Sequence, residues 1–121
     1  PKYADAHNNL GLLLGEVRKD FDGAEAMYRK AIELDPKRAK AHYNLGKLLK
    51  NVRKDFDGAE AMYRKAIEFD PKDASVHFNL SCLLEARGDL EGAIRETQEC
   101  ARLGDPEADT RLKMLLAKQA T

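Results

Sequence analysis

The chain has 121 residues, 43% of them hydrophobic, and its 21 basic side chains balance its 21 acidic ones. This length suits one domain with a continuous core, and the balanced charge argues against a general nucleic-acid or membrane-surface binder. The longest apolar stretch, residues 10–15, is far shorter than the roughly 20 residues that a membrane-spanning helix needs. No basic segment followed by an apolar one opens the chain, so we expect no signal peptide and a cytoplasmic protein.

A 35-residue repeat organises the whole sequence. Three histidines show the spacing: His7, His42 and His77. The repeats span residues 2–36, 37–71 and 72–106, and residues 107–121 follow them. The first two repeats differ at only seven positions (3, 5, 8, 12, 15, 16 and 34), whereas the third has diverged further. Such self-similarity predicts a stack of equivalent helical units.

Each repeat is predicted to form two helices. Apolar residues of the first repeat recur at helical spacing: Ala6, Leu10, Leu13, Leu14 and Val17. Asp22 is expected to cap the second helix, with Glu25 completing a capping box three residues later. Asp35 is expected to end that helix, because the residue before a proline avoids the α region. Residues 107–121 are predicted to form a seventh helix.

These residues resemble the tetratricopeptide repeat. The first repeat matches the family pattern at eight positions: His7, Leu10, Gly11, Leu14, Ala24, Tyr28, Ala31 and Pro36. The second repeat matches at the same places, whereas in the third Ser81 replaces the glycine, Thr97 the aromatic residue and Cys100 the second alanine. The resemblance implies an all-α fold, a helical-repeat solenoid of three helix pairs plus a C-terminal capping helix, as a single domain over residues 1–121.

Two details of the array remain open at this point. Units of this family have about 34 residues, and the extra residue of the first two repeats is expected in the turn between their helices. The last helix could equally be the first helix of a fourth unit. Because Pro1 and Lys2 match Pro36 and Lys37, we expect the chain to be a fragment of a longer array.

Five of the seven differences between the first two repeats lie on one arc of the first helix. They are Asp5/Lys40, Asn8/Tyr43, Leu12/Lys47, Gly15/Lys50 and Glu16/Asn51. At about 100° per residue this arc is about 100° wide. The first helices of this family line the concave surface, so the resemblance implies a groove whose lining differs between repeats. The alternative is chance clustering on a tolerant surface.

Asn9, Asn44 and Asn79 border the arc in the three repeats. An asparagine side chain both donates and accepts, so a ladder of them can bind an extended peptide backbone irrespective of its sequence. Residues 6–11 (AHNNLG) resemble the ladders of arrays attached to protein O-GlcNAc transferase-like glycosyltransferases. The alternative is that asparagine is simply common at this place in the family.

The predicted peptide-binding site combines this ladder with residues of the arc. Tyr43 and Phe78 are expected to hold apolar side chains, and the lysines favour an acidic segment or, alternatively, form a solvated face. The complete set is Asn8, Asn9, Leu12, Lys40, Tyr43, Asn44, Lys47, Lys50, Phe78 and Asn79. A clamp for chaperone tails is not expected, because only Asn44 matches that pattern.

No catalytic, metal or cofactor site is predicted. Packed helices lie about 8–10 Å apart, so histidines of successive repeats are too distant to share a zinc ion, whose ligands lie about 2 Å away. Each histidine is instead expected to pack within its own helix pair. Cys82 and Cys100 have no CxxC companion and are expected to be reduced thiols.

The sequence therefore predicts a non-enzymatic protein–protein interaction module that holds a peptide in its concave groove. The expected partner is a protein or peptide, with no nucleic acid, membrane or cofactor, and the chain is expected to be monomeric or weakly self-associating. One alternative is a substrate-recruiting fragment of a larger enzyme such as a glycosyltransferase. Another is a structural scaffold whose arrays stack end to end.

Overall fold

The computed structural model describes residues 2–121, with side chains from Tyr3 onward, so Pro1 lies outside the described residues. Over this range the chain forms seven α-helices and no strand. The helices are α1 (Lys2–Leu12), α2 (Phe21–Leu34), α3 (Ala39–Leu48), α4 (Phe56–Phe69), α5 (Ala74–Ala86), α6 (Leu90–Arg102) and α7 (Ala108–Ala120). The predicted all-α fold of three helix pairs and a C-terminal helix is confirmed.

Two compact units divide the chain, and their boundary in the sequence lies between Asp70 and Pro71. The N-terminal unit contains α1 to α4. There α1 packs against α2, α3 packs against α4, and α3 also contacts α2 and α1. The second helices contribute small residues and tyrosines to its core: Ala24, Tyr28, Ala31, Ala59, Tyr63 and Ala66.

A glycine on each first helix admits a tyrosine ring from the second helix of the same pair. A Cβ atom on Gly11 would lie 2.6 Å from Cε1 of Tyr28, and one on Gly46 would lie 2.8 Å from Cε1 of Tyr63. Both distances are steric overlaps, so the close approach of these helices depends on the missing side chain. This contact explains why the repeat combines a glycine with an aromatic residue.

In the C-terminal unit, two hydroxyl groups replace this glycine–tyrosine contact. The Ser81 and Thr97 oxygens lie 2.8 Å apart, and both are within 3.0 Å of the Ala93 carbonyl oxygen. A larger residue on α5 is therefore paired with a smaller residue on α6, and hydrogen bonds replace the contact between glycine and the ring. The third repeat has diverged in a compensated way.

The last helix, α7, packs against α6 and buries Ala108 and Leu115. Its Arg111 side chain also reaches α5, where Nη2 donates to Ser81 Oγ at 3.0 Å and to a Glu85 carboxylate oxygen at 3.1 Å. Lys118 pairs with the same carboxylate. These contacts hold α7 across the end of the C-terminal unit.

The extra residue of the first two repeats lies inside the first helix, so its predicted place in the turn is wrong. Residues Leu13–Val17 and Leu49–Arg53 each form a π-helical turn at the end of the preceding α-helix. A π turn contains one residue more than an α turn and therefore absorbs an insertion without changing the direction of the chain.

The backbone hydrogen bonds after these turns show the same insertion. The Asp20 N–H donates to the Leu14 carbonyl, six residues back, whereas the Asp89 N–H of the third repeat donates to the Leu84 carbonyl, five residues back. In all three repeats the left-handed position precedes this aspartate, at Lys19, Lys54 and Gly88. The insertion thus leaves the start of the second helix unchanged.

The second helix of each repeat is capped two residues earlier than the sequence predicts. The Asp20 carboxylate accepts a hydrogen bond from the Gly23 N–H at 2.9 Å, and Asp55 does the same in the second repeat. The predicted Asp22 cap is therefore wrong, and Glu25 pairs with arginines instead of completing a capping box. The predicted end of the helix at Asp35 is confirmed.

Candidate functional site

A cleft of about 240 Å³ opens to solvent in the N-terminal unit, between the ends of α1 and α3 and over α2. Its lining consists of Leu12, Gly15, Glu16, Lys19, Phe21, Tyr28, Asn44, Lys47, Leu48, Asn51 and Val52. Five of these belong to the arc where the first two repeats differ: Leu12, Gly15, Glu16, Lys47 and Asn51. Five of the fourteen residues that differ between the two repeats therefore line this cavity.

Both π-helical turns contribute walls to this cleft. Gly15 and Glu16 come from the first turn, and Asn51 and Val52 come from the second. Such turns widen the helix locally and occur frequently at functional sites. The one-residue insertions of the first two repeats thus shape the cavity.

The cleft joins an apolar floor to a charged rim. Burial, and to a lesser degree the Glu16 carboxylate, raises the pKa of the Tyr28 phenol, so this floor residue stays a neutral hydroxyl. At the rim, no ion pair of the described residues includes Lys19 or Lys47. The ammonium groups of Lys19 and Lys47 outnumber the Glu16 carboxylate, so the rim carries a net positive charge.

Tyr43 holds the Lys47 ammonium at the edge of the cleft. The Lys47 nitrogen lies 4.7 Å from the centroid of the Tyr43 ring, within the range of a cation–π interaction. The Tyr43 ring itself packs against the ring of Tyr63, with their centroids 5.9 Å apart. Two of the predicted site residues are therefore placed side by side.

The two asparagines of the N-terminal unit that come together are Asn8 and Asn44. Asn44 Nδ2 donates to Asn8 Oδ1 at 2.9 Å, and the two side chains are only 4% (Asn8) and 8% (Asn44) exposed. Asn9, the repeat counterpart of Asn44, is exposed. One N–H of Asn44 is thus committed to a neighbouring helix, and the side chain lines the cleft in a fixed orientation.

The remaining predicted site residues do not line the cleft. In the N-terminal unit, Lys40 is exposed on the first turn of α3 and Lys50 is half-buried in the second π-helical turn. In the C-terminal unit, Asn79 donates to the Ser75 carbonyl of its own helix at 2.8 Å. Phe78 is half-buried, and the Arg111 guanidinium of α7 lies 5.5 Å from its ring centroid.

Several lining residues are absent from the site predicted by sequence. Lys19, Phe21 and Tyr28 come from the turn and the second helix, which the two repeats copy without change. Glu16 and Asn51 were recognised as differences but not as members of the site. The arc of differences indicated the groove, but no sequence signal pointed to Lys19, Phe21 and Tyr28 as lining residues.

The histidines have structural partners. The His42 and His77 rings are buried and donate from Nε2 to the carbonyls of Pro36 (2.8 Å) and Pro71 (2.9 Å), while His77 Nδ1 also meets Glu96 at 2.8 Å. His7 is half-exposed. Among the described residues, no group of three His, Cys, Asp or Glu side chains suits a metal ion.

Both cysteines are free thiols. Cys82 is half-buried and Cys100 is buried, and this burial raises the pKa of the Cys100 thiol to about 11. Cys100 is therefore a protonated core residue near neutral pH. None of the described helices has the length and apolar character needed to cross a membrane.

Paired helices with small residues under aromatic rings define a helical-repeat protein. Three family models match the chain, one described as "TPR repeat" over residues 18–52 and two as "Tetratricopeptide repeat" over residues 39–73 and 62–95. The chain therefore carries tetratricopeptide repeats. A comparison with curated proteins finds no match.

Two solved structures illustrate the fold. The first tetratricopeptide domain of Spaghetti (RPAP3), bound to the HSP90 peptide SRMEEVD, matches with a TM-score of 0.87 and 19% identity, over 99% of this chain and 95% of that chain. The type III secretion translocator chaperone SycD of Yersinia enterocolitica matches with a TM-score of 0.84 and 17% identity, over 97% and 86%. At these identities the likeness shows the fold alone.

Proposed function

We propose that this chain is a protein–protein interaction module that binds a peptide segment of its partner in the cleft between α1 and α3. The observation that carries the proposal is that five residues of the arc where the first two repeats differ line this cavity. Drift without selection would scatter substitutions over every exposed face of both helices. A set of differences that clusters on one face of the first helix and reaches a cavity there fits adaptation to a ligand.

The size of the cleft favours an amino-acid side chain over a small molecule. Small-molecule sites usually enclose about 300–1,000 Å³, which is more than this cleft offers. A cavity of about 150 Å³ already holds benzene, which has the size of an aromatic side-chain ring. The volume of about 240 Å³ therefore suits one bulky apolar side chain, seated on Phe21, Tyr28 and Leu48. Asn44, the ladder residue that lines the cleft, would hydrogen-bond the peptide backbone.

The charge of the rim favours an acidic residue beside this anchor. Lys19 and Lys47 outnumber Glu16, and an acidic ligand would supply the carboxylate that neither ammonium has within the described chain. The HSP90 peptide held by the RPAP3 domain is also acidic in sequence, which agrees with this ligand class. The proposed ligand is an acidic peptide that contains a large apolar residue.

An array of peptides of about 12 residues, followed by fluorescence anisotropy on the best binder, tests the proposal. We expect acidic peptides to dominate, and Lys47→Glu to weaken the best one at least about tenfold, because it reverses the charge at the rim. Raising the salt from about 0.05 M to about 0.5 M should also weaken binding.

Lys65→Glu is the matched control, since it makes the same charge change on α4, where Lys65 pairs with Glu68 away from the cleft. It should change the affinity less than about twofold. Circular dichroism of both variants should match the wild type. Equal affinities for the two variants, or a preference of the array for basic peptides, would contradict the proposal.

A further inference from the structure

One nitrogen of the buried His42 ring, Nδ1, has no hydrogen-bond partner among the described residues. The other, Nε2, donates to the Pro36 carbonyl at 2.8 Å. A carbonyl oxygen only accepts, so Nε2 carries the hydrogen, and Nδ1 of the neutral ring is an acceptor. Because the ring is only 5% exposed, Nδ1 lacks the donor that buried polar atoms nearly always have.

In the third repeat a carboxyl group occupies the corresponding place. His77 donates to the Pro71 carbonyl at 2.9 Å in the same way, but its Nδ1 meets a Glu96 carboxyl oxygen at 2.8 Å. Counted from the capping aspartate, the second repeat has Met62 at the position of Glu96. A carboxyl group pairs with this nitrogen through a proton that either group carries, whereas a thioether has no hydrogen to donate. The second repeat therefore leaves His42 Nδ1 unpaired.

His42 lines another cavity of the N-terminal unit, with a volume of about 270 Å³. Helices α2, α3 and α4 all contribute to its walls, and none of its lining residues belongs to the cleft. The lining consists of Arg29, Ile32, Glu33, His42, Leu45 and Met62. The unpaired nitrogen therefore belongs to a ring that borders a cavity separate from the cleft.

The charged residues of this lining favour a neutral ligand. The Arg29 guanidinium and the Glu33 carboxylate cancel in charge. Arg29 also pairs with Glu25 at 2.9 Å, and the exposed Glu33 pairs with a lysine one turn away at 3.5 Å. An anion would have no hydrogen to offer Nδ1, and an ammonium group would lose much of its hydration beside a buried imidazole.

The size and the apolar walls of the cavity favour an aromatic ring. A cavity of about 150 Å³ holds benzene, so about 270 Å³ accommodates one ring with a substituent. Ile32 and Leu45 offer apolar contact, and a thioether such as that of Met62 interacts favourably with aromatic rings. The Arg29 guanidinium can stack on the face of such a ring. A phenol combines this ring with a neutral donor at its tip.

We propose that the cavity beside His42 binds a phenol group, whose hydroxyl donates to Nδ1 and whose ring contacts Ile32, Leu45 and Met62. The group can belong to a free phenolic molecule or to a tyrosine side chain of a partner, since both present the same ring and donor. The inference does not rest on the proposed function, because the two cavities share no lining residue.

Titration of para-cresol, which is a tyrosine side chain without its backbone, tests the site. In NMR spectra of the imidazole nitrogens of the full chain, the His42 Nδ1 signal should shift in a saturable way at up to about 10 mM para-cresol, a range that suits so small a ligand. The His77 Nδ1 signal should stay in place, since Glu96 already pairs with that nitrogen. Toluene, which has the ring but no hydroxyl, should bind at least about tenfold more weakly.

Met62→Glu should close the site, because Glu96 occupies the corresponding place beside His77. The affinity for para-cresol should fall at least about tenfold. Met27→Glu is the matched control, since it makes the same change at the same position of the first repeat, and Met27 does not line the cavity. It should change the affinity less than about twofold. The comparison of para-cresol with toluene uses the wild type and does not depend on how either variant folds.

N-acetyltyrosine amide distinguishes the two sources of the phenol. A shift of the same His42 signal would show that a tyrosine on a peptide backbone enters the cavity. Binding of para-cresol alone would assign the site to free phenols. Either result supports a phenol site.

Three results would overturn the proposal. If para-cresol left the His42 Nδ1 signal in place, the donor to this nitrogen would be water. Equal affinities for para-cresol and toluene would show that Nδ1 has no part in recognition, and an unchanged affinity of Met62→Glu would place the ligand elsewhere. None of these results bears on binding of acidic peptides in the cleft.

Discussion

The hydrogen bond between Asn8 and Asn44 joins the first helices of two successive repeats, and both side chains are buried. Buried amide groups are almost always hydrogen-bonded, because an unpaired one costs about 1–3 kcal/mol. Asn8 is one of the residues that differ between the repeats, and Tyr43 takes its place in the second. The pair therefore stabilises the same face of the unit on which the cleft opens.

Replacing Asn44 by alanine should lower the free energy of unfolding by about 1–3 kcal/mol, because Asn8 Oδ1 would lose its buried donor. Urea denaturation followed by circular dichroism measures this change. The double variant with Asn8→Ala should cost less than the sum of the single variants, since the second substitution removes the unpaired group. Asn9→Ala, at the exposed counterpart, should stay within about 0.5 kcal/mol of the wild type. Strict additivity of the two single variants would show that the bond makes no contribution.

The sequence predicted Asn8 and Asn44 as site residues but did not predict the hydrogen bond between them. The repeat register pairs Asn44 with Asn9, so a ladder built from equivalent positions is the natural expectation. The bond instead joins positions that are offset by one residue in the repeat. Such an offset depends on how far neighbouring helices slide past each other, which local sequence does not encode.

Among the helices, the π turns explain how the first two repeats, with one more residue before the second helix than the third repeat, use the same capping aspartate. The segment LLGEVRKD at residues 13–20 corresponds to LLEARGD at residues 83–89, with Gly15 as the additional residue. The shorter segment ends α5 with an ordinary α turn, whereas the longer one widens into a π turn. The single additional residue, Gly15, therefore changes an ordinary helix end into a π turn that lines the cleft.

Deletion of Gly15 should convert the first repeat to the regular form. We expect α1 to continue as an α-helix and the helical circular dichroism signal to persist, because the third repeat folds with the same spacing. The cleft would lose one wall, so the affinity for the acidic peptide should fall at least about tenfold.

Gly15→Ala is the matched control because it keeps the length of the repeat. Its Cβ atom would meet the Ala24 Cβ at 3.3 Å, a tight contact that a small shift relieves, so we expect the peptide affinity to be retained. If the deletion variant bound the peptide as tightly as the wild type, the π turn would have no part in the site. If it failed to fold, the correspondence between the two helix ends would be wrong.

The helix ends show which element boundaries are readable from sequence. Each second helix of the first two repeats stops directly before its aspartate, as predicted, because the following proline restricts the backbone of the preceding residue. The start was misassigned, since Asp20 and Asp22 are equally plausible caps in isolation. In all three repeats the cap is the aspartate directly after the left-handed residue, with or without a π turn before it.

At the scale of the whole molecule, one carboxylate links helices in each compact unit. Burial opposes ionisation of Glu25, but hydrogen bonds from Arg29 and Arg53 lower its pKa below the usual value. The Lys118 hydrogen bond, supported by Arg111, likewise lowers the pKa of Glu85 against the effect of burial. A carboxylate with a lowered folded-state pKa stabilises the fold above its unfolded pKa, and this stabilisation disappears as the pH falls through the folded value.

The stability of the chain should therefore decrease in acid. The urea midpoint should fall as the pH is lowered from about 5 to about 3, below the ordinary pKa of a glutamate side chain. Glu25→Gln should be less stable than the wild type at pH 7 but nearly equal to it at about pH 3, where the wild-type carboxyl is also neutral. An unchanged difference between the two proteins at both pH values would show that the Glu25 ion pairs do not stabilise the fold.

The sequence by itself determined the all-α class, the repeat spans and the clustering of the repeat differences. These features are local, since they depend on helical periodicity, on prolines and on direct comparison of one repeat with the next. Only the tertiary structure decided that five of the differing residues line a cavity, that Asn44 donates to Asn8, and which helix face is covered. Leu10 is 44% exposed, whereas its copy Leu45 in the second repeat is 1% exposed. Burial depends on the neighbour that packs against a surface, and two identical surfaces in one chain have different neighbours.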